Sequence, residues 1–255
     1  MDQRQLDIIT RIISTRECSI LSGFAGTGKT TMIHLLHEQF SLTKCPRPHR
    51  PDRLGVVSLC APTGAAAHNI GGLTLHRRFN IRTGQESIDK CLERLATNPA
   101  VMGEIGDIDL LVVDEMTMMS VDMLIRIDKI LQACRGSTLP FGGTQVVLVG
   151  DPLQLPPVTD SKLSMKNADM LKNIVGNSKV RNQYFKRENI FTLAKIYRQK
   201  NAAFAELLLS VGMGKYKRTD RKKFAQYMMS ELEPIPDGYT CLYATNAKAD
   251  ARNKV

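Results

Sequence analysis

Four short apolar runs rich in β-branched residues recur along the chain, at residues 18–21, 56–60, 110–113 and 146–149. None alternates between apolar and polar positions, so each is expected to be buried on both faces, as strands of a parallel sheet are. Between them lie stretches with helical spacing. Ile33, Leu36 and Phe40 share one side of 32–40, residues 88–95 form a second helix, and Leu124, Ile127, Ile130 and Leu131 make a stripe on 121–131. Strands alternating with helices predict an α/β domain, a central parallel sheet covered by helices. In such sheets ligands gather beyond the carboxyl ends of the strands, so the polar tips of the runs should converge in space.

Elsewhere the pattern loosens. Residues 44–54 carry Pro46, Pro48 and Pro51 and read as an exposed insertion, while 159–188 are polar and basic. From about residue 190 a second unit is expected, with a helix at 203–211, a new strand at 240–243 and the start of a further helix. The expected domains are therefore 1–190, with a basic insertion at about 159–188, and 191–255, a second unit that stops soon after its first strand and so reads as incomplete.

A hydrophobic content of 43% supports a packed core, and no run approaches the length of a membrane span. The opening Met1-Asp2-Gln3-Arg4-Gln5 lacks the charged-then-apolar design of a signal peptide. The six cysteines contain no C-x-x-C pair, which argues against a zinc site or a disulfide framework and for a reducing, intracellular compartment. His34, His37, Cys45 and His49 are poorly spaced for a metal. The formal net charge of +10, concentrated at 44–53, 162–187 and 215–223, points to a polyanionic partner. Aromatic residues make up only 5%, so contacts with a nucleic acid should fall on its backbone more than on stacked bases.

The sharpest chemical signal is Gly23-Phe24-Ala25-Gly26-Thr27-Gly28-Lys29-Thr30, which satisfies the phosphate-loop pattern G-x-x-x-x-G-K-[ST] between an apolar run and a helical one. The glycines let successive N–H groups point at an anion, and the helix start adds its dipole. Gly23, Ala25, Gly26, Thr27, Gly28, Lys29, Thr30 and Thr31 are therefore expected to hold a nucleoside triphosphate, with Lys29 on the β and γ phosphates and the Thr30 hydroxyl on Mg²⁺.

A second signal is Leu110-Leu111-Val112-Val113-Asp114-Glu115, a strand ending in two carboxylates. Asp114 suits Mg²⁺, directly or through water, and Glu115 suits a general base for the attacking water. The third is Gly150-Asp151-Pro152-Leu153-Gln154-Leu155-Pro156-Pro157, where prolines stiffen a loop carrying Gln154, an amide able to bond the γ-phosphate or orient water.

Together with Ala61-Pro62-Thr63-Gly64-Ala65-Ala66-Ala67, these segments resemble the motifs of superfamily 1B DNA helicases, above all the PIF/RecD-type enzymes. The similarity runs from about Gln5 to Arg198 and more thinly to Asn253. It implies a RecA-like domain, the opening of a second RecA-like lobe, and an ATP-dependent 5′→3′ helicase acting on single-stranded DNA, with RNA the lesser candidate. It also implies that a glutamine before the first strand recognises adenine; Gln5 matches that place, with Gln3 a competitor. Thr63 and Gly64 would touch the strand backbone. Gly72-Leu73-Thr74-Leu75-His76 is similar to another element of the DNA path, although His76 taken alone reads as a structural histidine. Arg198, within Tyr197-Arg198-Gln199, would be an arginine finger. Further family motifs, including one with a second arginine, are not found before Val255. Two other readings stand beside the helicase motor: a nucleotide- and nucleic-acid-binding module without unwinding activity, and a small-molecule kinase that shares only the phosphate loop. Protein partners and oligomeric state leave no mark on the sequence.

Overall fold

The computed structural model describes residues 2–45, 47, 50, 52–82, 86–157, 176–199, 201–215, 217–225, 241, 243 and 245–253. Strands β1 (Ser19–Gly23), β2 (Val57–Ala61), β3 (Leu73–Thr74), β4 (Leu110–Val113), β5 (Gln145–Gly150) and β6 (Ile190–Leu193) form one sheet in the order β3-β2-β4-β5-β1-β6. Every pairing is parallel, for example Ile20 against both Leu148 and Ile190. The four expected runs are thus four of its strands, 110–113 with unchanged bounds and the other three shifted by a residue or two at their ends.

β4 shows why those runs lack alternation. Leu111 and Val113 enter one apolar core with Val146 and Leu148, whereas Leu110 and Val112 enter the opposite core with Val147 and Val149. The first core is closed by α5 (Ile88–Ala96), α6 (Pro99–Gly106) and α7 (Val121–Arg135). The second is closed by α1 (Gln3–Thr15) and α2 (Lys29–Ser41), through Ile8, Ile9, Ile12, Met32, Ile33, Leu36 and Phe40. Local chemistry sets the ends of α7. The Ser120 hydroxyl accepts from Met123 N at 3.2 Å, and Gly136 stops the helix in the left-handed region at φ 58°.

The chain divides into two compact units, Met1–Ala205 and Glu206–Val255. β6 hydrogen-bonds along β1 and so belongs to the first unit, beyond the boundary expected at residue 190. In the second unit helices cover Asp220–Ala225 and Asn246–Asn253, while the strand expected at 240–243 lies mostly outside the described residues. Of the basic insertion, 159–175 also lie outside them; its described end forms the helix Ser178–Tyr184.

The insertion expected to be merely exposed at 44–54 is pinned at its described positions. A bridge joins Lys44 to Leu54, Arg47 Nε lies 2.9 Å from the fully buried Asp109, and Arg50 and Arg53 both pair with Asp107. No helix among the described residues is long and apolar enough to cross a membrane.

Candidate nucleotide-binding site

β1 delivers the chain into the glycine-rich loop, and α2 starts at Lys29. Gly26 and Gly28 have φ of 81° and 85°, values that side chains with a Cβ rarely adopt. Space is also short: a Cβ on Gly28 would lie 2.9 Å from Gln5 Nε2, and one on Gly26 2.7 Å from Arg198 Cβ. Thr27 is buried and its hydroxyl donates to the Phe24 carbonyl at 2.8 Å, tightening the turn. Lys29 folds over its own loop, donating to the carbonyls of Gly23 (2.8 Å) and Phe24 (3.1 Å). Burial lowers its pKa, against the pull of Asp151, Asp114 and Glu115.

At the tip of β4 two neighbouring carboxylates share one cleft, although successive residues of a strand point to opposite faces. The cause is local. Glu115 lies in the left-handed region (φ 53°, ψ 45°), where the chain leaves the strand for a short helical turn at Met116–Met118, and its N–H donates to Asp114 Oδ1 at 2.9 Å. Burial raises the pKa of both acids, and for Glu115 the Asp114 charge raises it further.

β5 ends beside them. The buried Asp151 accepts from Leu153 N at 3.0 Å, and its carbonyl from Gln154 N at 3.0 Å, so the proline-bounded loop is held at its root. The Gln154 amide, oriented with its nitrogen towards Glu115, donates to Oε1 at 3.2 Å and to Oε2. Beyond β6, Tyr197 N donates to the Gly26 carbonyl at 2.7 Å and brings Arg198 against Gly26.

These tips enclose a cleft of about 620 Å³ bordered by Ala25, Thr30 and Thr31 as well as Gln5, Lys29, Asp114, Glu115, Gln154 and Arg198. Gln5 reaches it from α1, donating to the Thr27 carbonyl at 3.1 Å, while the competing Gln3 is exposed and donates to Asp7. Asn69, Ala66, Tyr197 and Asp151 also belong to the neighbourhood and were not singled out from the sequence. Asp151 carried a usable signal, an acid at a strand tip. Asn69 carried none, because its place depends on where helix α3 (Gly64–Asn69) packs.

The residues expected on the nucleic-acid path lie at the carboxyl tips of the neighbouring strands β2 and β3. Thr63 caps α3, accepting from Ala66 N at 3.3 Å, and Gly64 is its first residue. Thr74 caps α4 (Leu75–Arg78), which carries His76, by accepting from Arg77 N at 3.3 Å. Both hydroxyls therefore have structural work, and α3 runs from Thr63 to the Ala66 and Asn69 edge of the cleft.

Among the described residues no three His, Cys, Asp or Glu side chains are grouped to hold a metal. One hydroxyl (Thr30) and one carboxylate (Asp114) on the cleft are the donor set expected for Mg²⁺, which takes few protein ligands and completes its shell with phosphate oxygens and water.

A sequence model of PIF1-like helicases matches residues 2–222. The chain is similar to the ATP-dependent DNA helicase PIF1 of Emericella nidulans, 27% identical over 256 residues, covering 98% of this chain and 32% of that protein. In structure it is similar to the Pif1 helicase of Candida albicans, with TM-score 0.80, 26% identity and coverage of 100% of this chain and 53% of that one. It is also similar to the Pif1 helicase from Bacteroides in complex with ADP-AlF3 and ssDNA, with TM-score 0.74, 25% identity and coverage of 100% and 56%. The chain thus spans about a third of that curated relative and about half of each solved chain.

Proposed function

The chain belongs to the PIF1-like helicase family, and from that premise we propose that it is the ATP-binding motor part of a DNA helicase, hydrolysing ATP to move 5′→3′ along single-stranded DNA and open duplex. The observation that carries the reading is the convergence of Lys29, Asp114, Glu115, Gln154 and Arg198, from distant parts of the chain, on one cleft.

In this reading the Lys29 ammonium exchanges the Gly23 and Phe24 carbonyls for the β and γ phosphates, alongside the loop N–H groups. Thr30 and Asp114 would hold Mg²⁺, which would supply positive charge against those phosphates. Glu115 accepts the proton of the attacking water, a task helped by a pKa raised through burial. Gln154 steers that carboxylate, and the Arg198 guanidinium offsets charge developing on the transferred phosphoryl group. Gln5 faces the base. Single-stranded DNA would run over Thr63, Gly64, Thr74 and His76, with DNA favoured over RNA because a solved relative holds ssDNA. Residues 206–255 would open a second RecA-like lobe.

Steady-state phosphate release from ATP, with and without single-stranded DNA, tests the proposal. DNA-stimulated turnover that disappears in Lys29→Ala is the expected result. Binding of ATP and DNA without turnover would instead favour the non-unwinding module, and phosphate transfer to a nucleoside would favour a kinase.

A further inference from the structure

Four hydrogen bonds close a ring through three separate segments on one side of the cleft. Asp2 Oδ1 accepts from Gln5 N at 3.0 Å, and Gln5 Nε2 donates to the Thr27 carbonyl at 3.1 Å. One residue earlier, the Gly26 carbonyl accepts from Tyr197 N at 2.7 Å. The Tyr197 hydroxyl then returns to Asp2, donating to Oδ2 at 2.7 Å. A fifth bond, Asp2 N to Gln5 Oε1 at 3.1 Å, fixes the amide of Gln5 so that its nitrogen faces the loop. Lys195 Nζ lies over the Tyr197 ring, 5.0 Å from its centroid.

Asp2 is therefore more than a helix cap. Its two carboxylate oxygens hold different walls: one the first turn of α1 and hence Gln5, the other the segment after β6 that carries Tyr197 and Arg198. Gln5, Tyr197 and Arg198 all border the cleft, whereas Asp2 does not. We propose that Asp2 is a positioning residue that locks Gln5 and Tyr197 into one rigid wall, so that the nucleoside end of the ligand, rather than its phosphates, depends on it. The inference rests on the nucleotide-binding reading above and adds to it a residue that never touches the ligand.

Capping and wall-locking can be separated by chemistry. Asp2→Ser keeps a good helix cap but is too short to reach the Tyr197 hydroxyl. Tyr197→Phe keeps the ring and removes only that hydroxyl. Equilibrium binding of ATP and of inorganic tripolyphosphate would be measured for the wild-type chain, each variant and the double variant, with thermal melting recorded alongside. Each single variant is expected to lose ATP affinity by about fivefold. The double variant should lose no more than either alone, because both break one link. Tripolyphosphate affinity and melting should stay at wild-type values. Unchanged ATP affinity, losses that multiply in the double variant, or a parallel loss of tripolyphosphate binding would each overturn the proposal. A wild-type chain that binds neither ligand would overturn the nucleotide reading itself, and the role of Asp2 with it.

Discussion

The amide nitrogen of Gln154 faces the carboxylate of Glu115, 3.2 Å from Oε1, so the tips of β5 and β4 are joined by a side-chain hydrogen bond. The acid in that bond is also the one whose backbone is turned left-handed out of its strand. Position and proton affinity of Glu115 are therefore set by different neighbours: Gln154 fixes where it points, while burial and Asp114 raise its pKa.

Replacing Glu115 by glutamine should leave ATP binding intact and reduce turnover by at least about 100-fold, the range of a lost general base. Gln154→Ala should lower turnover by about tenfold, the equivalent of one lost hydrogen bond. Phosphate release and ATP affinity measured on the same preparations check both, and a Glu115→Gln variant that turns over normally removes Glu115 from this role.

A different carboxylate holds the far side of the fold. Asp128 on α7 is 4% exposed and accepts from Phe141 N (2.5 Å), Gln132 Nε2 (3.1 Å) and the Tyr184 hydroxyl (3.0 Å). Tyr184→Phe leaves that buried acid short of a donor and should cost about 1–2 kcal/mol. A fall of several degrees in Tm is the readout, and an unchanged Tm would show the bond to be idle.

Acid should loosen the 44–54 insertion. Burial alone would raise the pKa of Asp107, but hydrogen bonds from Arg53 and Arg50 outweigh it and hold the group below its ordinary 3.8. A lowered folded-state pKa gives stability that is present above the unfolded value and lost as pH falls through the folded one. Asp107→Asn should thus destabilise by about 1 kcal/mol at neutral pH, and the difference should shrink as pH falls below the ordinary 3.8 and through the lower folded-state value. Urea unfolding across an acid pH series follows it.

Thiol chemistry offers a check on packing. Burial pushes Cys18, Cys60 and Cys134 each up to about 11. With only about one thiol in a thousand ionised at pH 8, iodoacetamide should label these three far more slowly in the native chain than in urea. Mass spectrometry of tryptic peptides reads the difference; equal rates would mean that the core is open.

Much of this architecture could be read from residue order because burial on both faces leaves an unmistakable mark. Val112 and Val113 enter opposite cores, so the strand had to be apolar throughout. The glycine-rich loop at 23–30 and the Asp114-Glu115 pair were visible as candidates for a related reason: each is a run of contiguous residues. β3 and β6 were not, since β3 has two residues and β6 is a half-exposed edge whose Thr192 interrupts the apolar run. Tyr197 and Asp2 were invisible as partners because the bond between them is a product of tertiary structure alone. Ile190–Leu193 fill the edge of β1 left open opposite β5, and this long-range pairing, which puts β6 with the first unit, has no mark in the local sequence.

The order β5-β1-β6 has one more outcome. Because these neighbours are parallel, the end of β5 and the start of β6 lie on opposite rims of the sheet. Each is tied down by bonds of its own: Asp151 accepts from Leu153 N and Gln154 N after β5, and the Tyr184 hydroxyl donates to Asp128 ahead of β6. The cleft wall beyond β5 and the edge strand are thus fixed separately, so a change that loosens one anchor need not disturb the other.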